Sequence, residues 1–155
     1  MHAPMHIIIH RWFYWSDSDH HSIEKASMDG KNHTIIIKSN LSPVVTLTLD
    51  YQTQVLYWIQ VDPYLNKLES SNTDGMNRQT LLIFRNDIYH GLSLFRDIVL
   101  LSRSDSGIYV ANKSKQLQNF LIQPLNCFSN TYQPSVLKVF SQERQPDNCK
   151  VNVLK

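Results

Sequence analysis

Tyr14-Trp15-Ser16-Asp17, followed by Ile23-Glu24-Lys25-Ala26-Ser27-Met28-Asp29-Gly30-Lys31-Asn32, decides how this chain is read, because the pattern comes back. Tyr57-Trp58 stands 43 residues after the first aromatic pair, and Leu100-Leu101 falls another 43 on. The second pair leads into Leu68-Glu69-Ser70-Ser71-Asn72-Thr73-Asp74-Gly75-Met76-Asn77. The third leads into Ile108-Tyr109-Val110-Ala111-Asn112-Lys113, where the Asp-Gly is lost. Each copy continues into an apolar segment, Thr34 to Ile37, Thr80 to Phe84 and Phe120 to Ile122. An alternating stretch then follows at Leu47-Thr48-Leu49, Leu92-Ser93-Leu94 and Leu137-Lys138-Val139. Features that recur in a fixed order are an internal repeat.

The segments inside each copy alternate with period 2, which gives a strand one buried face, and Ile, Val, Thr and Tyr dominate them. No apolar stripe of helical period lasts three turns. Asp29-Gly30 and Asp74-Gly75 read as two-residue type I′ hairpin turns, since that turn needs positive φ and Asp-Gly tolerates it. Two of the chain's four glycines sit there, where backbone freedom is needed. Four short strands at a period of about 40–45 residues are the signature of a β-propeller blade. The expected fold is all-β, a partial propeller of about three four-stranded blades. The repeats are framed as 11–53, 54–97 and 98–143, with 1–10 as the tail of a preceding blade strand and 144–155 as an exit segment.

Composition narrows the function classes. The chain has 155 residues, 15 Lys plus Arg against 13 Asp plus Glu, a formal charge of +2, 42% hydrophobic and 18% charged residues. That is about one domain's length. So even a charge balance argues against a nucleic-acid partner, and low charge with many aliphatic residues argues against disorder. Apolar runs of about five residues fall far short of the roughly 20 that a membrane helix needs. Ile7-Ile8-Ile9 is cut by His10 and Arg11, so no secretory signal is visible. Cys127 and Cys149, 22 apart, can pair, stay as thiols, or be half of a larger disulfide framework.

At the lead motif a family resemblance becomes specific. Tyr14-Trp15-Ser16-Asp17 resembles the Tyr-Trp-Thr-Asp signature of the low-density lipoprotein receptor class B repeat. The two Glu-to-Asp-Gly segments and Ile108 to Lys113 are similar to its continuation. Arg144-Gln145-Pro146-Asp147-Asn148-Cys149 resembles the exit into an EGF-like module. The resemblance implies a six-bladed type of propeller in a non-enzymatic extracellular receptor of the low-density lipoprotein receptor-related kind. It also implies protein or lipoprotein ligands, a place at the plasma-membrane surface or endosome, and pH-dependent ligand release. The rival reading is a vestigial structural fragment without binding activity of its own. Three blades would also leave blade edges open to self-association. In the family the signature aspartate ties neighbouring blades. At the matching positions Gln60 can still bond as an amide, whereas Arg103 offers no acceptor.

Other candidate chemistry weighs less. His2, His6 and His10 are four apart, and His20-His21 lie beside Asp17 and Asp19, but a solvated segment and a solvated loop explain both. No metal and no cofactor are expected. No nucleophile elbow, H-E-x-x-H or glycine-rich phosphate loop is present, and Glu24 and Glu69 recur as a structural pattern on different blades. Sequons stand at Asn32-His33-Thr34, Asn40-Leu41-Ser42 and Asn112-Lys113-Ser114, with Asn32 and Asn112 as the candidate glycosylation positions. The structural motif residues are Tyr14, Trp15, Asp17, Asp29, Gly30, Tyr57, Trp58, Asp74 and Gly75.

Overall fold

The computed structural model describes residues 6–9, 11–38, 42–85, 87, 89–103, 107–113 and 123–124. Outside them lie His2, His10, Asn40, the segments around Phe120 and Leu137, both cysteines and the exit segment 144–155. Every regular element among the described residues is a strand, and the strands form three four-stranded antiparallel sheets. The first comprises β1 (His6–Ile9), β2 (Trp12–Asp17), β3 (Ser22–Ser27) and β4 (Thr34–Lys38). The second comprises β5 (Val44–Asp50), β6 (Val55–Gln60), β7 (Asn66–Asn72) and β8 (Gln79–Phe84). The third comprises β9 (Tyr89–Phe95), β10 (Ile98–Arg103), β11 (Gly107–Asn112) and β12 (Gln123–Pro124). In each sheet the strands pair in chain order, and the lead pair falls on the second strand. The sheets therefore start one strand ahead of the sequence frame anchored on that pair, and His6–Ile9 pairs with β2.

The lead pair points both ways because consecutive strand residues face opposite sides of a sheet. Leu56 and Trp58 enter a core with Tyr14, Ile23, Ile37, Leu47 and Leu49, on the side of the first sheet. Tyr57 and Ile59 enter a second core with Leu68, Tyr89, Leu92, Val99 and Leu101, on the side of the third. A sheet covered on both faces needs a continuous apolar strand, and β6 is buried from Leu56 through Gln60. Each large apolar side chain buried this way contributes about 1.5–3 kcal/mol. Trp58 is 0% exposed, while Trp15, its counterpart in the first sheet, is only half-buried. Leu101, which stands where Trp58 stands in the repeat, is fully buried with Val99 against the second sheet.

The Asp-Gly turns differ from the expected type I′. Gly30 N donates to Ser27 C=O (2.8 Å) and Ser27 N to Lys31 C=O (2.9 Å). Asn72 C=O and Asn72 N make the same bonds to Gly75 and Met76. Gly30 and Gly75 have positive φ, but Asp29 and Asp74 do not. This is a type I turn closed by a left-handed glycine, the three-residue hairpin loop. The reason is the aspartate itself: Asp29 Oδ1 accepts from Lys31 N, and Asp74 Oδ1 from Met76 N. That side-chain bond fixes the turn residue without positive φ. A β-bulge also repeats, between Ile23 and Glu24 and between Leu68 and Glu69, with Ile36 and Leu81 as the extra residues opposite.

Candidate functional site

Two layers of polar chemistry run through the sheets. The first lies in the seams between them. Tyr14, buried in the first sheet, meets the second sheet's turn: burial pushes its phenol up, and the hydrogen bond with Thr73 partly offsets that. Lys25 Nζ donates to Thr73 C=O (3.3 Å) across the same seam. Gly75 lies so close to Ile36 that a Cβ there would overlap the Ile36 carbonyl oxygen. Tyr57 repeats the role of Tyr14 one sheet on, its phenol raised by burial and by Asp50. Here Lys113, the first residue after β11 as Thr73 is the first after β7, pairs with Asp50 at 2.7 Å. So Tyr14, Tyr57, Asp74 and Gly75 are brought to the seams, and Asp29 and Gly30 stay on an exposed turn.

The second layer pairs each tryptophan with a carboxylate and a nitrogen-bearing side chain, Arg78 in one sheet and His33 in the other. Trp15 sits opposite Glu24, and Trp58 opposite Glu69, directly across the second and third strands. Glu69 takes Arg78 Nη2 at 2.6 Å and Thr80 Oγ1 at 3.1 Å, and the guanidinium lies 5.6 Å from the Trp58 ring centre. In the first sheet Glu24 takes Ser22 Oγ at 2.6 Å and His33 Nε2 at 2.5 Å, and His33 stacks on Trp15. Both glutamates are 5% exposed, and at that depth a carboxylate without partners is costly. Each glutamate has a partner on both of its oxygens. The sequence reading recognised the recurring glutamates but missed the cations. Their signal was there: His33 and Arg78 each stand four residues after the turn aspartate. Arg offers a fixed bidentate fork where His offers one nitrogen. We expect His33→Arg to raise stability by about 1 kcal/mol, its partial exposure limiting the gain, as read by urea denaturation. No gain would mean that the half-buried Trp15 leaves no room for the fork.

The fourth signature position behaves differently in each sheet. Asp17 Oδ1 accepts from Asp19 N and His20 N (both 2.9 Å), and Oδ2 meets His20 Nδ1 at 2.9 Å, so these bonds cap its own loop. Gln60, expected to bond through its amide, buries Oε1 without a hydrogen-bond partner among the described residues. Arg103, expected to be unable to substitute, inverts the polarity: Nη1 donates to Asp87 in the segment entering β9 (2.6 Å). Asp87 in turn accepts Asn66 Nδ2 on its backbone carbonyl (2.7 Å), which ties the second sheet to that segment. Arg103 thus makes a contact of its own, with Asp87 as the acceptor, unlike the loop cap made by Asp17. His20 has its pKa raised by the hydrogen bond with Asp17, and Asp17 is lowered by the same bond. The pair thus holds its charges from below the ordinary carboxylate value to above the ordinary histidine value. It fades as pH rises through the raised His20 value. NMR titration should find His20 above its ordinary value and Asp17→Asn should return it; an unmoved His20 would remove the cap.

Asn32 is exposed after the Gly30 turn, and Asn112 is half-buried at the end of β11. Among the described residues no group of three or more His, Cys, Asp or Glu could hold a metal ion. Nor is any helix there long and apolar enough to cross a membrane.

Comparison with known proteins places this geometry. Residues 13–51 match the low-density lipoprotein receptor repeat class B. Protein cueball of Drosophila yakuba is 31% identical over 78 residues, covering 48% of this chain and 12% of that protein. Protein cueball of Drosophila ananassae is 30% identical over 95 residues, covering 59% of this chain and 15% of that protein. The chain thus spans well under a fifth of these relatives' length. A chain in the crystal structure of a nidogen/laminin complex superposes with a TM-score of 0.63 at 24% identity, over 74% of this chain and 44% of that one. The AtxE2 isopeptidase superposes with a TM-score of 0.60 at 10% identity, over 83% and 21%. Both structures show a shared fold. The chain is a partial β-propeller, and its residues 13–51 match the class B repeat.

Proposed function

We propose that this class B repeat propeller segment is a non-enzymatic, extracellular ligand-binding module of an endocytic-receptor type, which takes a protein surface, free or carried on a lipoprotein. Class B repeat propellers are extracellular and generally without enzymatic activity. The observation that carries the reading is the β6–β7 loop, where Tyr64 is 85% exposed on a braced backbone. Tyr64 N donates to Asp62 Oδ1 (3.0 Å), Asp62 N to Asn66 Oδ1 (3.1 Å), and Ser42 Oγ to Asp62 Oδ2 (3.0 Å). A large aromatic held out on a pre-ordered loop is the kind of anchor that dominates protein interfaces.

The test uses low-density lipoprotein and laminin as separate probes on the immobilised chain, at neutral and endosomal pH. Binding of either, weakened about tenfold or more by Tyr64→Ala, is the expected result. Retention indifferent to Tyr64, or no retention of either probe, overturns the reading. Ligand release on acidification belongs to the same proposal and would fall on the charges at His20 and Asp17. The half-buried face of Trp15 favours a second reading, in which the first sheet associates with another copy of the chain. Light scattering decides it: a monomer at all concentrations removes it.

A further inference from the structure

The three sequons are equivalent as sequence, and the two whose asparagines are described, at Asn32 and Asn112, are unequal as structure. Asn32 is exposed, two residues beyond Gly30, with φ +53°, a conformation that Asn tolerates better than most residues. Its Nδ2 has only a long bond to Ser27 Oγ (3.4 Å), and the Thr34 hydroxyl donates to its carbonyl (3.3 Å). The amide therefore faces solvent beside the sequon hydroxyl. Asn112 closes β11 opposite Ile98, is half-buried and is already engaged. The central residue of its sequon is Lys113, whose ammonium is locked to Asp50 and whose N donates to Asp97 C=O (2.7 Å). A branched oligosaccharide at Asn112 would stand at the seam between the second and third sheets.

Position also gives Asn32 a task. It opens β4, which pairs with β3 alone among the described strands. The strand reads Thr34-Ile35-Ile36-Ile37-Lys38, and Ile35 is exposed. An apolar, β-branched strand with one unpaired side is a template for edge-to-edge association, and bulky polar cover is one way to blunt it. The equivalent turn of the second sheet reads Asn77-Arg78-Gln79 and lacks the sequon.

We propose that Asn32 is an N-glycosylation site whose glycan screens the edge of β4, and that Asn112 is unmodified in the folded chain. The proposal rests on the extracellular reading, but its test does not. The full chain is expressed in human cells behind a heterologous leader, and both secreted and retained fractions are digested with peptide N-glycosidase. Asn32→Gln and Thr34→Ala should each abolish one glycan's mobility shift, Thr34→Ser should keep it, and Asn112→Gln should change nothing. Site mapping by the Asn-to-Asp conversion that the digestion leaves should give Asn32. Occupancy at Asn112 in folded protein, or a shift left unchanged by Asn32→Gln, overturns the assignment. Enzymatic removal of the glycan from folded protein should raise the aggregated fraction several-fold in light scattering. An unchanged fraction overturns the screening role and leaves the site. Absence of ligand binding by the same material would bear on the receptor reading alone.

Discussion

Gly75→Ala should lower the stability of the chain by about 3 kcal/mol, while Gly30→Ala should cost about 1. The two glycines occupy the same place in their turns, with φ +86° and +78°. An L-residue in the left-handed region costs roughly 1–2 kcal/mol, so the backbone penalty is common to both. What separates them lies in space. A Cβ at Gly30 would meet nothing within 4 Å, whereas at Gly75 it would run into the carbonyl oxygen of Ile36, which belongs to the neighbouring sheet. Backbone atoms cannot rotate away as a side-chain tip can, so relief must come from opening the seam between the first two sheets. Overpacking of that kind costs about 1–3 kcal/mol. Ile36 is also the extra residue of the β-bulge, so the bulge and the close glycine are parts of one contact. Urea denaturation of the two variants measures the difference. Equal losses would mean that the sheets do not approach at this point.

The same pair of glycines marks how far sequence reasoning reaches. Asp29-Gly30 and Asp74-Gly75 are alike as strings, and the repeat, the strands and the turn positions were legible from such likeness. The turn type was not, because it depended on the aspartate carboxylate bonding the backbone two residues on. The seam role of Gly75 could not be read either, since nothing in the local sequence says which turn has a sheet beside it. Tyr14-Trp15 and Tyr57-Trp58 show the same limit: burial on both faces is a property of the neighbours, and Trp15 and Trp58 differ by that alone. Arg103 is the sharper case. Judged as a replacement for Asp17, it has no acceptor to offer. Judged with Asp87, sixteen residues upstream, it makes a charged contact of its own. Pairwise compensation across a linker is invisible to a position-by-position comparison of repeats. For the candidate site the legible part was the recurrence of Glu24 and Glu69; the register that sets each of them opposite a tryptophan needed the structure.

Lys113→Met should cost about 3 kcal/mol, and most of that loss should return in the double variant Lys113→Met/Asp50→Asn. Both side chains are about nine-tenths buried, and they join the third sheet to the second at 2.7 Å. Removing the ammonium leaves a carboxylate sealed between sheets, and an unpaired buried charge is worse than no charge at all. Asn at 50 can still accept from Gln52 N (3.0 Å) without carrying the charge, which is why the double variant should recover. A Lys113→Met loss that Asp50→Asn fails to relieve would show that the lysine acts through packing of its stem. The pair also fixes a pH window. Burial pushes the Asp50 carboxyl up, but Lys113 together with Thr53 and Gln52 outweighs it and holds the group below its ordinary value of 3.8. A folded-state value below the unfolded one means that this stability is fully present above the ordinary carboxylate range. It is lost only as pH falls through the lowered value. The seam between the second and third sheets therefore stays shut through any acidification that stops above that range. Ligand release on mild acidification would then have to come from groups other than this pair, such as His20, which is exposed on its loop. Denaturation midpoints of wild type and Lys113→Met measured down through the carboxylate range should converge only at its acid end. Convergence at mildly acidic pH would place the proton on the seam and not on the loops.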